Sequence, residues 1–186
     1  KPYPNPKSGT LMKFKPQCGR VMSSGQTANV PIKLTPDSLP KRPADLYWYD
    51  KSFWVENVEW KYGGVGFCGK NVHCSCWNCR FALDFFARTF VPELDLFSVA
   101  VLDTNGNLIL RIGKYGNVDD GKPLIAGGGP QDARAIGGDE VALFYGAYLA
   151  THTDRRLFIA DPGNQRIVSV KLGYHAEARL PLKDVP

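Results

Sequence analysis

The chain has 186 residues, of which 44% are hydrophobic and 12% aromatic, and it carries a formal net charge of +5. This composition excludes a disordered protein, and the length is ample for one domain or two small ones. No apolar run reaches the roughly 18 residues of a membrane-spanning helix, so we predict no membrane span.

Residues 1–45 differ from the rest of the chain in proline content and in charge. They hold eight of the 14 prolines, and eight Lys or Arg residues against two Asp, so the net positive charge comes from this segment. Because proline is excluded from helix interiors and central strands, we predict an extended basic arm. Its aromatic side chains do not interleave with the basic ones, which argues against nucleic acid as a partner. The arm is expected to lie along another protein chain, with a solvated tail as the alternative.

Residues 46–78 combine an aromatic stretch with a cysteine-rich loop. The aromatic part is interrupted near Asp50, which predicts a hairpin or two linked strands. Its rings either pack in a core or face a neighbour, since Trp and Tyr are enriched at buried interfaces. We take three tryptophans and three basic arm residues as candidate interface residues: Lys13, Lys15, Arg20, Trp48, Trp54 and Trp60.

Four cysteines fall close together in this loop and a fifth lies in the arm: Cys68, Cys74, Cys76, Cys79 and Cys18. Disulfides suit an exported protein, whereas a zinc or iron site, with His73 as a further ligand, suits the mixture of Cys and His. Only Cys76 and Cys79 have Cys-x-x-Cys spacing, and position 80 is Arg rather than the His of a c-type haem site. Disulfides, a metal site and reduced thiols all stay open.

Residues 79–113 are predicted to form four short strands, because their apolar residues alternate. Asn105-Gly106 supplies the tight turn between the third and fourth strands. Asp103 and Asn107 superficially resemble parts of a calcium loop, but no Glu stands at the twelfth position, so we interpret the segment as a hairpin turn. Four up-and-down strands in about 35 residues match one blade of a β-propeller.

The same plan returns over residues 147–180, after a Gly-rich insertion at 114–146. Arg88-Thr-Phe-Val-Pro and Arg156-Leu-Phe-Ile-Ala occupy the same place in the two units. The predicted fold class is all-β, with about two propeller-like four-stranded antiparallel blades, an incomplete ring, preceded by the extended Pro-rich arm. Eight residues of the blades are predicted to be buried: Phe90, Val99, Val101, Leu110, Phe158, Ile159, Ile167 and Val170.

The second unit contains LFIADPGNQRIVSV, which resembles the NHL repeat, with its apolar strand, Ala-Asp, turn, Asn-x-Arg-Ile and second apolar strand. VLDTNGNLILRIGKYGN, in the first unit, resembles the blade-closing part of that repeat. The stretch from Trp54 to Gly66, with the Cys-x-Cys that follows, is similar to a segment near the C-terminus of large secreted bacterial NHL-type proteins. Because the chain also begins at Lys1 rather than Met, we expect an exported protein, extracellular or periplasmic.

Two blades do not close a ring, so either other chains complete it, or the chain is a fragment of a larger one, or the blades pack differently from a propeller. Because an open stack exposes sheet faces and edges, each option predicts a partner protein. We therefore predict a non-catalytic structural or scaffold subunit of an exported multi-protein assembly, with other subunits or copies of itself as partners. Two alternatives stay open, namely a metal- or redox-centre subunit using the Cys68–Cys79 cluster and a ligand-binding NHL-type module. Some NHL-type proteins are metal-dependent lyases that bind their metal through histidines on inner strands. The three histidines of this chain, His73, His152 and His175, do not reproduce that set of ligands. We predict no enzyme activity and no cofactor beyond the zinc, iron or calcium alternatives.

Overall fold

The computed structural model describes residues 9–25, 32–48, 51–66, 79–117 and 141–173. The N-terminal part contributes six strands: β1 (Gly9–Phe14), β2 (Arg20–Ser23), β3 (Ile32–Lys33), β4 (Leu46–Trp48), β5 (Lys51–Glu56) and β6 (Val58–Val65). The C-terminal part contributes nine: β7 (Ala82–Leu83), β8 (Thr89–Glu93), β9 (Ser98–Leu102), β10 (Leu108–Ile112), β11 (Lys114–Tyr115), β12 (Ala142–Leu143), β13 (Tyr148–His152), β14 (Arg156–Asp161) and β15 (Arg166–Lys171). Single-turn 3₁₀ helices lie at Pro36–Ser38, Leu94–Leu96 and Pro162–Asn164. The all-β class is confirmed, and the described ranges show no closed ring.

Residues 9–25 and 32–45, predicted to be part of an extended arm, instead contain strands that pair with their own chain. β1 pairs antiparallel with β6, and β2 lies inside a four-stranded sheet of order β3-β2-β5-β4, which we call the N-terminal sheet. The structure thus corrects the arm prediction for these residues. β1 and β2 occupy the proline-free stretches on either side of Pro16, so the prolines remove no hydrogen bond from their ladders. Residues 1–8 lie outside the described residues.

Charge also favours this pairing within the chain. Arg20 stands opposite Glu56 across β2 and β5, with its Nη1 3.6 Å from a carboxylate oxygen. Lys13 on β1 places its Nζ 2.6 Å from Oε2 of Glu59 on β6. Two basic side chains of the predicted arm therefore meet acidic partners in the neighbouring strands of the same chain, each pair adding about 1 kcal/mol or less.

Strands β7 to β10 form an up-and-down antiparallel sheet of order β10-β9-β8-β7, which we call the first meander. These are the four strands predicted between residues 79 and 113. The β9–β10 connection is a tight turn in which an Asp103 carboxylate oxygen accepts the N–H groups of Asn105 and Asn107, each at 2.8 Å. Gly106 has a φ of 82°, a conformation that glycine adopts without steric cost.

Strands β13, β14 and β15 form a second antiparallel sheet in sequence order, which we call the second meander. The strand predicted after them, at 174–180, lies outside the described residues. The predicted insertion at 114–146 begins and ends in a parallel pair, with Lys114 opposite Ala142 across β11 and β12. Residues 118–140 between these strands also lie outside the described residues.

Three of the sheets stack as layers around two apolar clusters. One face of the first meander, which we call its A face, carries Phe90 and Val99 and packs against Ile159 of the second meander. Its opposite B face carries Val91 and Leu102. The β1–β6 pair, which we call the ribbon, covers that B face. The first meander is therefore the middle layer, between the ribbon and the second meander.

The burial predicted for the two meanders is right in part. Four of the residues are buried: Phe90, Val99, Val101 and Ile159. Two more are half-buried: Phe158 and Val170. The prediction is wrong for Leu110 and Ile167, which are 48% and 72% exposed. Alternation shows that a strand has an apolar face, but it does not show that a neighbouring layer covers it.

Candidate functional site: an apolar groove beside the first meander

A groove of about 350 Å³ opens between the ribbon and the β7 side of the first meander. The ribbon lines it with five residues: Leu11, Met12, Lys13, Phe14 and Trp60. The meander lines it with another five: Phe81, Leu83, Ala87, Thr89 and Thr104. The lining is therefore mostly apolar, with one lysine and two threonines as its polar members.

The groove exists because the ribbon is narrower than the sheet it covers. Neighbouring strands lie about 4.8 Å apart, so two strands cannot cover a face made of four. The ribbon packs through Trp60 onto the cluster formed by Val91 and Leu102 of β8 and β9. The β7 segment is left open on this side, where Phe81 and Leu83 are 49% and 56% exposed.

The turn between β7 and β8 presents two further aromatic rings beside the groove. Phe85 is 89% exposed and Phe86 is 61% exposed. Asp84 fixes the turn, because its Oδ1 accepts the N–H groups of Phe86 and Arg88 at 2.9 Å each. Its Oδ2 accepts a hydrogen bond from the Arg88 guanidinium at 2.8 Å, and Ala87 takes a φ of 57°. The two rings are thus held outward by a well-bonded turn that adjoins the groove.

We call these four exposed side chains the apolar edge: Phe81, Leu83, Phe85 and Phe86. None of them was predicted as a site residue. Alternation placed Phe81 and Leu83 on one face of a predicted strand, and nothing local showed that this face stays open. Phe85-Phe86 was a usable signal, because tight turns favour Gly, Asn, Asp, Ser and Pro rather than aromatic pairs.

Two of the six predicted interface residues, Lys13 and Trp60, line the groove. Both also hold the ribbon to the β9–β10 turn. Lys13 Nζ and Trp60 Nε1 donate to the carbonyl oxygen of Thr104 at 3.2 and 3.0 Å. Gly106 of that turn lies so close to the Trp60 ring that a Cβ there would lie 2.6 Å from Trp60 Cγ.

Three of the other predicted interface residues, Lys15, Arg20 and Trp54, do not line the groove. Lys15 and Arg20 are exposed on either side of the bend between β1 and β2. Trp54 is buried in the N-terminal sheet, where its Nε1 donates to the carbonyl oxygen of Arg42 at 3.1 Å. Trp48 is the last residue of β4, paired with Lys51 of β5. The structure therefore assigns Trp54 to the chain's own core.

The cysteine cluster is described at one end only. Cys79 is half-buried at the start of the β7 segment, and a Cβ at Gly66 would lie 2.9 Å from its Sγ. Gly66 and Cys79, the described residues on either side of residues 67–78, therefore lie close together. Cys18 is exposed in the bend after β1. The remaining candidates lie outside the described residues: Cys68, His73, Cys74 and Cys76.

Glu93, at the end of β8, ties the first meander to the ribbon. It is buried and accepts hydrogen bonds from Tyr62 Oη at 2.6 Å, Arg111 Nε at 2.7 Å and Ser98 Oγ at 3.1 Å. Burial would raise the pKa of Glu93, but these donors outweigh it and hold the pKa below its ordinary value. Burial, and then Glu93, raise the pKa of Tyr62. Because three donors already occupy its carboxylate oxygens, Glu93 suits a structural link between the two sheets rather than proton transfer.

Asp161, at the end of β14, has the equivalent place in the second meander. It is fully buried, and its carboxylate accepts the N–H groups of Phe144 and Tyr145 at 3.1 and 2.6 Å. Asn164 Nδ2 donates to it at 2.7 Å. Asp161 therefore fixes the segment that leads from β12 into β13.

Asp45 closes the N-terminal sheet through three donors. Its Oδ2 accepts from the Val55 N–H at 2.9 Å and from Arg42 Nη1 at 2.7 Å, and its Oδ1 accepts from Lys61 Nζ at 2.9 Å. Burial alone would raise the pKa of Asp45, but these donors outweigh it and lower the pKa from 3.8 to about 2.

Because of Asp45, the free energy of unfolding is expected to depend on pH in the acid range. Because the folded pKa is below the unfolded one, the ionised carboxylate stabilises the fold by about 2 kcal/mol above pH ~4, and this is lost as pH falls towards 2. Asp45→Asn should lose that amount at pH 7 and show a flatter profile between pH 5 and 2, measured by urea unfolding. Asp37→Asn, at an exposed position, is the control. An unchanged profile for Asp45→Asn would contradict the expectation.

No protein-family model matches the chain, and the search of curated proteins finds none similar to it. Within the described ranges, no group of three His, Cys, Asp or Glu side chains is placed to hold a metal ion. The same ranges contain no helix that is both long enough and apolar enough to cross a membrane.

Proposed function

We propose that this protein is a non-catalytic structural subunit of an exported multi-protein assembly and that it binds a partner chain at the groove and the apolar edge. The observation that carries the proposal is the apolar edge itself, whose four side chains, all within β7 and the residues flanking it, are 49% to 89% exposed. Large apolar side chains exposed this close together are typical of a protein–protein contact.

Two further features of the groove favour a protein chain as the bound group. The Asp84 turn holds Phe85 and Phe86 in place before binding, which lowers the entropy cost of association. β1 is an edge of the two-stranded ribbon, so an extended partner segment in the groove would meet backbone groups that can pair with it.

The proposal also includes a fold assignment that is more specific than the all-β class. We infer that the two meanders are propeller-like blades related to NHL repeats, supported by their antiparallel order and by the face-to-face packing of Phe90 against Ile159. The cysteine alternatives, disulfide or metal, stay predictions because Cys68, Cys74 and Cys76 lie outside the described residues.

A ligand-binding module is the second candidate, favoured by the groove volume of about 350 Å³. Sites for small molecules are typically about 300–1,000 Å³ and mostly apolar. The two functions differ in the mass of the native particle. A ligand-binding module remains a single chain carrying a small added mass, whereas a structural subunit is found in a particle of several chains.

The apolar edge is expected to be necessary for assembly. Burying one Phe side chain contributes about 1.5–3 kcal/mol, so Phe85→Ser with Phe86→Ser should weaken partner binding by about 100-fold or more. The measurement is native mass spectrometry of the tagged full chain purified from its source, with circular dichroism to confirm folding.

The matched control replaces Leu108 and Ile109 with Ser, because these residues of edge strand β10 are 40% and 51% exposed. This variant should assemble as the wild type does. A wild-type chain that purifies as a monomer would overturn the proposed function. Equal loss of the partner in both variants would show that the apolar edge is not the binding surface.

A further inference from the structure

The two meanders are copies of one structural unit, offset by 68 residues. In each, a residue with positive φ follows the first strand, Ala87 at 57° and Arg155 at 66°. In each, the second strand ends in a buried acid and leads into a single-turn 3₁₀ helix. That helix is followed by a left-handed residue, Phe97 at 53° and Gln165 at 52°. Every residue of β7, β8 and β9 therefore has a counterpart in β13, β14 and β15.

Under this correspondence the two meanders stack head to tail. Phe90 and Val99, on the A face of the first meander, share one core cluster with Leu157 and Ile159. Ile159 is the counterpart of Val91, which lies on the B face of the first meander. An A face therefore accepts a B face in this fold, and the second meander has an A face of its own.

The A face of the second meander repeats an alanine–phenylalanine pair from the core of the first. Ala150 stands opposite Phe158 across β13 and β14, as Ala82 stands opposite Phe90 across β7 and β8. Phe90 is fully buried, because the second meander covers it. Phe158 is half-buried and belongs to neither core cluster of the described residues.

A neighbouring row on this face is more exposed. Tyr148, Ala160 and Ile167 stand opposite one another across β13, β14 and β15. Tyr148 is 40% exposed and Ile167 72%, whereas Val99, the counterpart of Ile167, is fully buried. The face thus keeps core-type side chains across three strands without a covering layer among the described residues.

A polar row ends the apolar surface on the side of the β13–β14 turn. His152, Arg156 and Lys171 stand opposite one another there, and Asp154 accepts a hydrogen bond from Arg156 Nε at 3.0 Å. The exposed apolar surface is therefore confined to the row centred on Ala160 and to Ala150 and Phe158 in the next row. Ser169, opposite Phe158 on β15, accepts a hydrogen bond from Arg156 Nη1 at 3.0 Å and belongs to the polar rim. A bounded apolar patch with a charged rim resembles the anatomy of a protein interface.

We propose that the A face of the second meander binds a β-sheet of a partner chain, and that this partner sheet has the B-face pattern. That pattern is branched aliphatic side chains on alternate residues of three neighbouring strands, as Leu149, Ile159 and Val168 show in this chain. The inference rests on the proposed function and adds a second binding surface to it. The chain then joins two neighbours, one at the groove and one at the far side of the stack.

A second copy of this chain does not fit the A face, since both of its described B faces are covered. The ribbon covers that of the first meander, and the first meander covers that of the second. The contact between the meanders is the precedent for the docking geometry, because it already joins an A face to a B face within one chain. A single added strand, about 4.8 Å wide, would cover only part of a face three strands wide.

The test is site-specific photocross-linking in the full chain, within the assembly purified from its source. A benzophenone amino acid is placed separately at Ile167 and Tyr148 on the A face, at Phe85 in the apolar edge, and at Ile109 as the exposed control. We expect the probes at Ile167 and Tyr148 to cross-link to the same partner chain, on different strands of one sheet. Ile167→Asp should weaken this contact at least tenfold and leave the melting temperature of the isolated chain unchanged.

Three other outcomes would each overturn the inference, and they differ in what they leave standing. Adducts from Phe85 with none from Ile167 and Tyr148 would overturn the inference and leave the proposed function standing. Adducts to residues 174–186 of the same chain, or to a second copy, would replace the partner sheet with that occupant. No adduct from any position, together with a monomeric mass, would overturn the inference and the proposed function together.

Discussion

Truncating Ile159 to alanine is expected to lower the free energy of unfolding by about 2–5 kcal/mol, the range found for large aliphatic side chains removed from a core. Ile159 is fully buried in the cluster that joins the two meanders. Gly146 already approaches its Cγ2, since a Cβ at that glycine would lie 3.0 Å away. The surrounding chain therefore has little freedom to close the cavity, and urea unfolding of the isolated chain should show the loss.

Ile167→Ala is the matched control, because it removes the same atoms from the same sheet. Ile167 is 72% exposed, so the isolated chain should change by no more than about 0.5 kcal/mol. Equal losses at the two positions would show that the face assignment of the second meander is wrong. The pair therefore tests which side of this sheet is the core.

Replacing Asp161 with alanine is expected to lower the free energy of unfolding by about 3–5 kcal/mol, as when one partner of a buried charged group is removed. The N–H groups of Phe144 and Tyr145 would lose their acceptor. Arg166 Nε, 4.0 Å from the carboxylate, would lose the negative charge beside it. Each donor left unsatisfied costs about 1–3 kcal/mol, which is why the expected loss is large.

Asp154→Ala is the control for Asp161→Ala. Its carboxylate is 45% exposed and pairs with Arg156 at 3.0 Å, so its removal should leave the free energy of unfolding nearly unchanged. The loss of stability for Asp161→Asn should lie between the losses for the two alanine variants. The amide keeps one oxygen as an acceptor, but its two N–H groups would face the N–H donors that now bind the carboxylate. Urea unfolding measures all three variants, and a stable Asp161→Ala would contradict the structural role of this acid.

The meanders could be predicted from the sequence because their signals are local. Period-two alternation and the Asn105-Gly106 turn gave the strands of the first meander, and the Arg88 and Arg156 segments gave its repetition. Both kinds of signal lie within a few residues of the strand they specify. The face that each strand buries is not local, which is why Ile167 was predicted to be buried and is exposed.

The groove could not be predicted, because it depends on which distant strands meet. Phe81 is exposed only because the ribbon, formed by residues up to 56 positions apart, stops short of the β7 segment. The N-terminal segment was misjudged for a related reason. Its proline content was averaged over 45 residues, whereas β1 and β2 need only the proline-free stretches around Pro16.

The pairings of the N-terminal part are nested, and this sets an order in which the chain folds. β4–β5 lies within the segment enclosed by β2–β5, which in turn lies within the segment enclosed by β1–β6. Each inner pairing shortens the loop that the next must close, so pairing proceeds outward. The pairing of Gly9 with Val65 closes the longest of these segments, and such long-range pairings form slowly. Because β1 forms one wall of the groove, only a chain whose N-terminal sheet has already folded offers a complete groove to its partner.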